Sequence, residues 1–261
     1  MLAWYWRENE NILNFGEHIT PYILNYFDVK WKNYSEKTPQ DTECILIIGS
    51  ELHLATIEQF KKSGIKKFHI WGQGKGTGTI FNYQDYDINF YLVRGENTKQ
   101  ELKLPQNIPT GDPGFIMPLI YPISRQVSEK QIIYAPHHSN RNNLNSKKQI
   151  LQYTDYFDVM IPRDKFISQL HKLVNAEFVI TNSLHISIIC IAYGVPFCVS
   201  LLEGEEYNYP TKWTDVFDWT GIKLKLCVSK AEGVDWWNTE VKNHKIPDTQ
   251  QILDTFPKHI F

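Results

Sequence analysis

The sequence predicts an α/β protein made of two Rossmann-like domains whose parallel sheets face a central cleft. Three observations carry that reading. Apolar strand-like runs alternate with helical segments in both halves of the chain. The stretch Phe178 to Leu202 holds a complete strand, helix and strand. Pro105, Pro109, Pro113, Pro118 and Pro122 crowd the middle and place an interdomain linker between about residues 118 and 130. The domains are expected at 1–122 and 131–261, with the last helix returning to the first.

Bulk properties narrow the function. A chain of 261 residues exceeds the usual size of one core, and 42% hydrophobic residues with a mean hydropathy of −0.37 describe a soluble protein able to fill two. The net charge of −2, with 27 Lys and Arg scattered along the chain, gives no electrostatic case for nucleic acid. Cys44, Cys190, Cys198 and Cys227 form no C-x-x-C pair and read as buried thiols of a reducing compartment. The start, MLAWYWRENEN, lacks the basic and apolar regions of a signal peptide. The uncharged run from Ile186 is broken by Gly194 and Pro196 and falls short of the ~20 residues a membrane span needs. A cytoplasmic location without a transmembrane segment is expected.

In chain order, Leu2 to Trp6 reads as an aromatic strand, and Ile19 to Phe27 as a helix capped by Thr20 with Pro21 in its first turn. Asn14, Gly16, Glu17 and His18 then sit at a strand-to-helix mouth. Cys44 to Ile48 fits a buried parallel strand ending in Gly49-Ser50, followed by a helix from Thr56 to Lys62. The strand Lys67 to Trp71 opens into Gly72, Gly74, Gly76 and Gly78, whose spacing is neither a dinucleotide fingerprint nor a P-loop and reads as a cleft-lining loop. Ile88 to Val93 is a strand ending in Arg94, a candidate anion clamp because its planar fork holds carboxylate or phosphate with two bonds. Asn97-Thr98 caps the next helix.

The second half restarts at the strand Gln131 to Ala135, which delivers His137, His138 and Arg141 at its carboxyl end. No Cys or acidic residue lies there at ligand-like spacing, so no metal is expected. Phe157 to Ile161 reads as a strand, and Lys165 to Val174 as a helix with Phe166, Ile167, Leu170, Leu173 and Val174 on one side. Phe178 to Ile180 is a strand, Leu184 to Tyr193 a buried helix ended by Gly194, and Phe197 to Leu201 a second strand. The turn between them sets Asn182, Ser183, Leu184 and His185 where free backbone amides and the helix dipole favour an anion. Trp213 to Trp219 reads as an aromatic-acidic helix or loop that could face a membrane-held substrate, and Val234 to Val241 begins a last helix.

Taken in order, Asn14-Phe15-Gly16-Glu17, Ile47-Ile48-Gly49-Ser50, Trp71-Gly72-Gln73-Gly74, Val93-Arg94-Gly95, Gly111-Asp112-Pro113, Ala135-Pro136-His137 and Val179 to His185 resemble the polysaccharide pyruvyl transferase family. The similarity runs from about residue 11 to 202, and Ser183-Leu184-His185 followed by Tyr193-Gly194-Val195-Pro196 is its most specific part. Ile186 stands where many members have Gly, Ser183 where many have Arg, and Glu17 where Asp is usual.

The resemblance implies a GT-B-like fold and transfer of a pyruvyl group from phosphoenolpyruvate to two hydroxyls of a sugar, with no cofactor. It implies His185, His137 and Glu17 as proton-transfer residues. Arg141, His138, Asn182, Ser183 and Leu184 of the second domain, with Arg94 reaching from the first, would hold the donor. Asn14, Gly16, His18, Gly72 and Gly74 would hold the acceptor in the first. The acceptor is a sugar of a surface polysaccharide such as a capsule or exopolysaccharide, or its precursor; a lipid-linked one would bring the protein to the inner face of the membrane. Two rivals remain open at this point: a GT-B glycosyltransferase using a nucleotide sugar, and a non-catalytic carbohydrate-binding homologue.

Overall fold

The computed structural model describes residues 1–142, 144–202 and 210–261. In chain order its strands are β1 (Leu2–Trp4), β2 (Ile12–Asn14), β3 (Lys32–Asn33), β4 (Glu43–Leu46), β5 (Lys67–Trp71), β6 (Asp87–Leu92), β7 (Ser128–Ala135), β8 (Asp155–Tyr156), β9 (Met160–Pro162), β10 (Ala176–Thr181), β11 (Phe197–Ser200) and β12 (Leu226–Cys227). Two five-stranded parallel sheets result, ordered β3-β1-β4-β5-β6 and β12-β11-β10-β7-β8. Between them run the helices α1 (Ile19–Tyr26), α2 (Leu54–Lys62), α3 (Glu96–Glu101), α4 (Met117–Ile120), α5 (Leu144–Leu151), α6 (Phe166–Val174), α7 (Leu184–Tyr193), α8 (Pro210–Thr220), α9 (Lys230–Trp236) and α10 (Gln250–Asp254). This is the two-sheet α/β architecture expected of two Rossmann-like domains.

Side chains alternate faces along a strand, and the first sheet uses both. Leu2, Cys44, Leu46, Phe68 and Ile70 pack with Ile57 and Phe60 of α2 and with Leu102. Ala3, Ile45, Ile47 and Trp71 belong instead to one core continuous with Ile133, Val179, Ile180 and Val199 of the second sheet. Runs buried on both faces are why these strands read as unbroken apolar stretches.

The unit that anchors the second sheet has the predicted form. β10 passes into α7 through Ser183, whose extended backbone caps the helix without a side-chain bond, and Gly194 ends it in the left-handed region at φ 66°. Thr181 Oγ1 accepts the Ser183 amide at 2.9 Å, which holds the turn open.

Several segments link the two halves. β2 pairs antiparallel with β9, Leu13 opposite Ile161. Phe256, past α10, stacks on Phe27 with ring centroids 3.7 Å apart, and Thr255 Oγ1 accepts the Trp71 indole N–H at 3.0 Å. Asp215 of α8 reaches the start of α3, accepting the Thr98 amide at 3.1 Å.

Other details differ from the sequence reading. The expected strand Phe157 to Ile161 does not form as one: β8 ends before it at Tyr156, and only Met160 and Ile161 fall in a strand, β9, which pairs with β2 outside the parallel sheet. His18, not Thr20, occupies the cap position of α1, and Thr20 is buried with its hydroxyl unpartnered among the described residues. Trp213 and Trp219 offer no exposed platform: Trp213 is 1% exposed, and Trp219 is half-buried with its ring 4.8 Å from that of Phe115. Among the described residues no helix is long and apolar enough to cross a membrane.

Candidate active site

A cavity of about 420 Å³ is lined from both sheets, and nearly all its residues follow the carboxyl end of a strand. Trp6 follows β1; Asn14 and Glu17 come from the end of β2 and the turn after it; Ser50, Glu51 and His53 follow β4. From the second sheet come His137, His138 and Ser139 after β7, and Ser183, Leu184 and His185 after β10. Lys212 of α8 completes the wall.

At the start of α7 the first backbone amides have no partner within the helix and present positive dipole ends. His185 lies there with its ring against Gly16, where an added Cβ would overlap the imidazole. Its Nε2 is sealed from bulk water and has no hydrogen-bond partner among the described residues. Burial, with Arg94 and Lys212 nearby, lowers its pKa to about 3, so the imidazole is neutral in the empty cavity. His137 is held by its amide, which donates to Asn182 Oδ1 at 2.5 Å, and by a 2.9 Å contact of Nδ1 with Ser139 Oγ. Burial, Lys212 and the neighbouring histidines lower its pKa to about 3 as well. His138 stacks on Trp6 with centroids 5.3 Å apart and planes 19° from parallel.

The carboxyls move the other way. Burial, reinforced by Glu51, pushes Glu17 well above the usual carboxylate range against the opposing effects of the Trp6 amide and Lys212. That amide donates to Glu17 Oε2 at 2.5 Å. Glu51 is also raised by burial; its Oε2 accepts the Thr56 hydroxyl at 3.1 Å and lies 3.8 Å from His53 Nε2. Lys212 is lowered by burial and Arg94 to about 8, so it remains largely cationic at neutral pH. Neutral imidazoles, a carboxyl whose pKa burial raises, one lysine and a helix start suit a ligand that brings its own negative charge.

The structure therefore gathers His185, His137, Glu17, His138, Ser183, Leu184 and Asn14, with Gly16 packed behind the ring of His185. It does not bring the remaining candidates to the cavity wall. Arg94 is 1% exposed and committed to the protein: it donates to Gly49 O at 3.2 Å and Ser50 Oγ at 2.7 Å and pairs with Asp215 at 3.4 Å. It shapes the floor instead of clamping an anion. Arg141 turns outward to Asp158 at 3.3 Å. His18 is caged by Tyr5, Tyr22 and Phe166. Asn182 lies behind the wall, where it positions His137.

Gly72 and Gly74 are packing glycines. A Cβ at Gly72, whose φ is 94°, would strike Pro113, and one at Gly74 would strike the Arg94 guanidinium. Among the described residues no group of three or more His, Cys, Asp or Glu could hold a metal ion.

Sequence reasoning missed Lys212, Glu51 and His53. A single lysine ahead of an aromatic helix has no local signature. Glu51 and His53 could have been found by extending the strand-mouth argument past Gly49-Ser50.

A family model described as polysaccharide pyruvyl transferase matches residues 6–200. No curated protein matches. Among solved structures, the crystal structure of a functionally uncharacterised protein from Klebsiella pneumoniae subsp. pneumoniae NTUH-K2044 is similar in fold, with a TM-score of 0.51 and 15% identity over 84% of this chain and 87% of that one.

Proposed function

The chain belongs to the polysaccharide pyruvyl transferase family, and from that premise we propose that it uses phosphoenolpyruvate to build a pyruvate ketal on a sugar of a surface polysaccharide or its precursor. The observation that carries this reading is the meeting, in one cavity, of the open first turn of α7, the Lys212 cation and the Glu17 carboxyl, whose pKa burial raises.

The chemistry needs a proton on the donor's methylene carbon, two hydroxyls deprotonated in turn, and a phosphate that departs. The α7 amides and Lys212 hold the phosphate and carboxylate. Glu17 gives its proton to the methylene carbon, which becomes the methyl group and leaves an oxocarbenium centre at the carbon bearing phosphate. The first sugar hydroxyl adds there and loses its proton to neutral His185. The carbon–oxygen bond to phosphate then breaks, and the second hydroxyl closes the ketal as its proton passes through His137. The proton on His185 then returns to Glu17, so over a turnover one acceptor proton replaces the one given to the methyl group and the other leaves on inorganic phosphate. Arg94 and Asn182 act by position: the first fixes Gly49 and Ser50, the second fixes His137.

A phosphate-release screen with phosphoenolpyruvate over synthetic and lipid-linked glycosides tests the proposal. Release should depend on the acceptor and vanish in His185→Ala with the fold intact. Near-normal turnover in that variant removes His185 from the mechanism. Thermal protection by nucleotide sugars and none by phosphoenolpyruvate would overturn the reading in favour of a glycosyltransferase.

A further inference from the structure

A second, shallower cavity of about 220 Å³ opens on the other side of Trp6, walled by Trp4, Trp6 and Tyr34 with Arg7, Asn33 and Ser35 among its polar lining. Trp6 lines both cavities. We propose that this groove is the subsite for the sugar ring next to the one that reacts. The proposal rests on the pyruvyl transfer reading and adds a second sugar-binding site to it.

Three features favour a sugar ring. Aromatic walls with a few fixed polar groups suit a ring that has apolar C–H faces and a polar edge. The walls are set in advance: Trp4 and Tyr34 both meet Phe60 edge-on, with centroids 5.6 and 5.1 Å away, and the Tyr34 hydroxyl contacts Ser63 Oγ. Asn33 Oδ1 is fixed by the Ser35 amide at 2.9 Å. A preformed site of this kind loses little entropy when it is filled. Its one cation, Arg7, lies 3.8 Å from Glu10, which disfavours an anionic occupant.

Continuity identifies the ring as part of the acceptor. The larger cavity would already hold the donor and the reacting sugar, and Trp6, which lines both cavities, is the residue an acceptor spanning them would share. That residue is fixed by its ring stack on His138 and by its backbone N–H, which donates to Glu17 Oε2. A ring seated in the groove thus bears on the residue that braces the proposed acid.

The test compares methyl glycosides of glucose, galactose, mannose and N-acetylglucosamine with matching disaccharide methyl glycosides, in the wild type and in Ser35→Trp. Ser35 is exposed, so the added indole fills the groove without disturbing the core. Binding is first followed by tryptophan fluorescence without phosphoenolpyruvate, which requires no transfer chemistry. At least one disaccharide should bind tenfold or more tightly than its monosaccharide, and Ser35→Trp should erase that gain. In turnover, Ser35→Trp should raise KM for the disaccharide and leave kcat/KM for the monosaccharide unchanged. Equal binding of the two acceptors, no quenching by any disaccharide, or binding of inorganic phosphate to the groove in place of sugar would overturn the proposal. Groove binding blocked by Ser35→Trp without phosphate release from any acceptor would sink the transfer reading alone. Release with equal KM for both acceptors would sink the subsite alone.

Discussion

Gly16→Ala should disable the site by displacing His185. The Gly16 amide donates to Asn14 Oδ1 at 3.0 Å and its carbonyl accepts the Ile19 amide at 3.3 Å, so the turn is pinned on both sides. The new Cβ would overlap both the imidazole and the Cβ of His185, so His185 must yield as a whole, together with the start of α7 that carries it. To regain van der Waals contact it must withdraw by about 1 Å, a displacement that costs on the order of 10²-fold when it misplaces a reacting group. Overpacking itself costs about 1–3 kcal/mol. The assay is phosphate release at saturating donor beside a thermal melt of the same sample. A Tm lowered by a few degrees with kcat down about a hundredfold is expected. Wild-type kcat in a folded Gly16→Ala protein would refute the claim that the position of His185 against Gly16 matters.

The other expectations follow from charge and burial. With Lys212 at about 8, its cation is lost as pH rises through that value, so kcat/KM for phosphoenolpyruvate should fall about tenfold per pH unit above it; Lys212→Arg should carry the plateau to higher pH. Asp215→Ala strands the buried Arg94 guanidinium and the Thr98 amide and should cost about 3–5 kcal/mol in denaturant unfolding, with much of the loss recovered when Arg94→Met is added. His18, lowered by burial to about 4, contributes stability that is full above its unfolded pKa and lost as pH falls toward 4, about 3 kcal/mol in all. His18→Phe should keep the aromatic cage and lose less stability than the wild type between pH 6.5 and 4 in urea titrations.

Much of the fold was legible because it rests on local pattern. The α7 bounds follow from an apolar run between Thr181-Asn182-Ser183 and Gly194, and β5 from its sequence alone. β2 shows where local reading stops: before α1 the sequence reads a strand only at Leu2 to Trp6, and Ile12–Asn14 becomes one by pairing with β9 in the other half of the chain. Arg94 shows the same limit at the site. At a strand end it reads as an anion clamp, yet Asp215, 121 residues later, claims it. The glycine loop reads as lining a cleft, and Gly76 and Thr77 do line the cavity, while Gly72, Gly74 and Gly78 make room for Pro113, Arg94 and His53. Lys212 enters the cavity only because α8 packs on α3, which no local pattern encodes.

The central claim is that the cavity between the two sheets receives an enol phosphate at the start of α7. A crystal structure of the protein soaked in phosphoenolpyruvate tests it most directly. The phosphate should lie within hydrogen-bond distance of the first α7 amides and Lys212 Nζ, with the methylene carbon facing Glu17. Phosphoenolpyruvate bound elsewhere, or a cavity left unfilled at saturating ligand, would contradict the account.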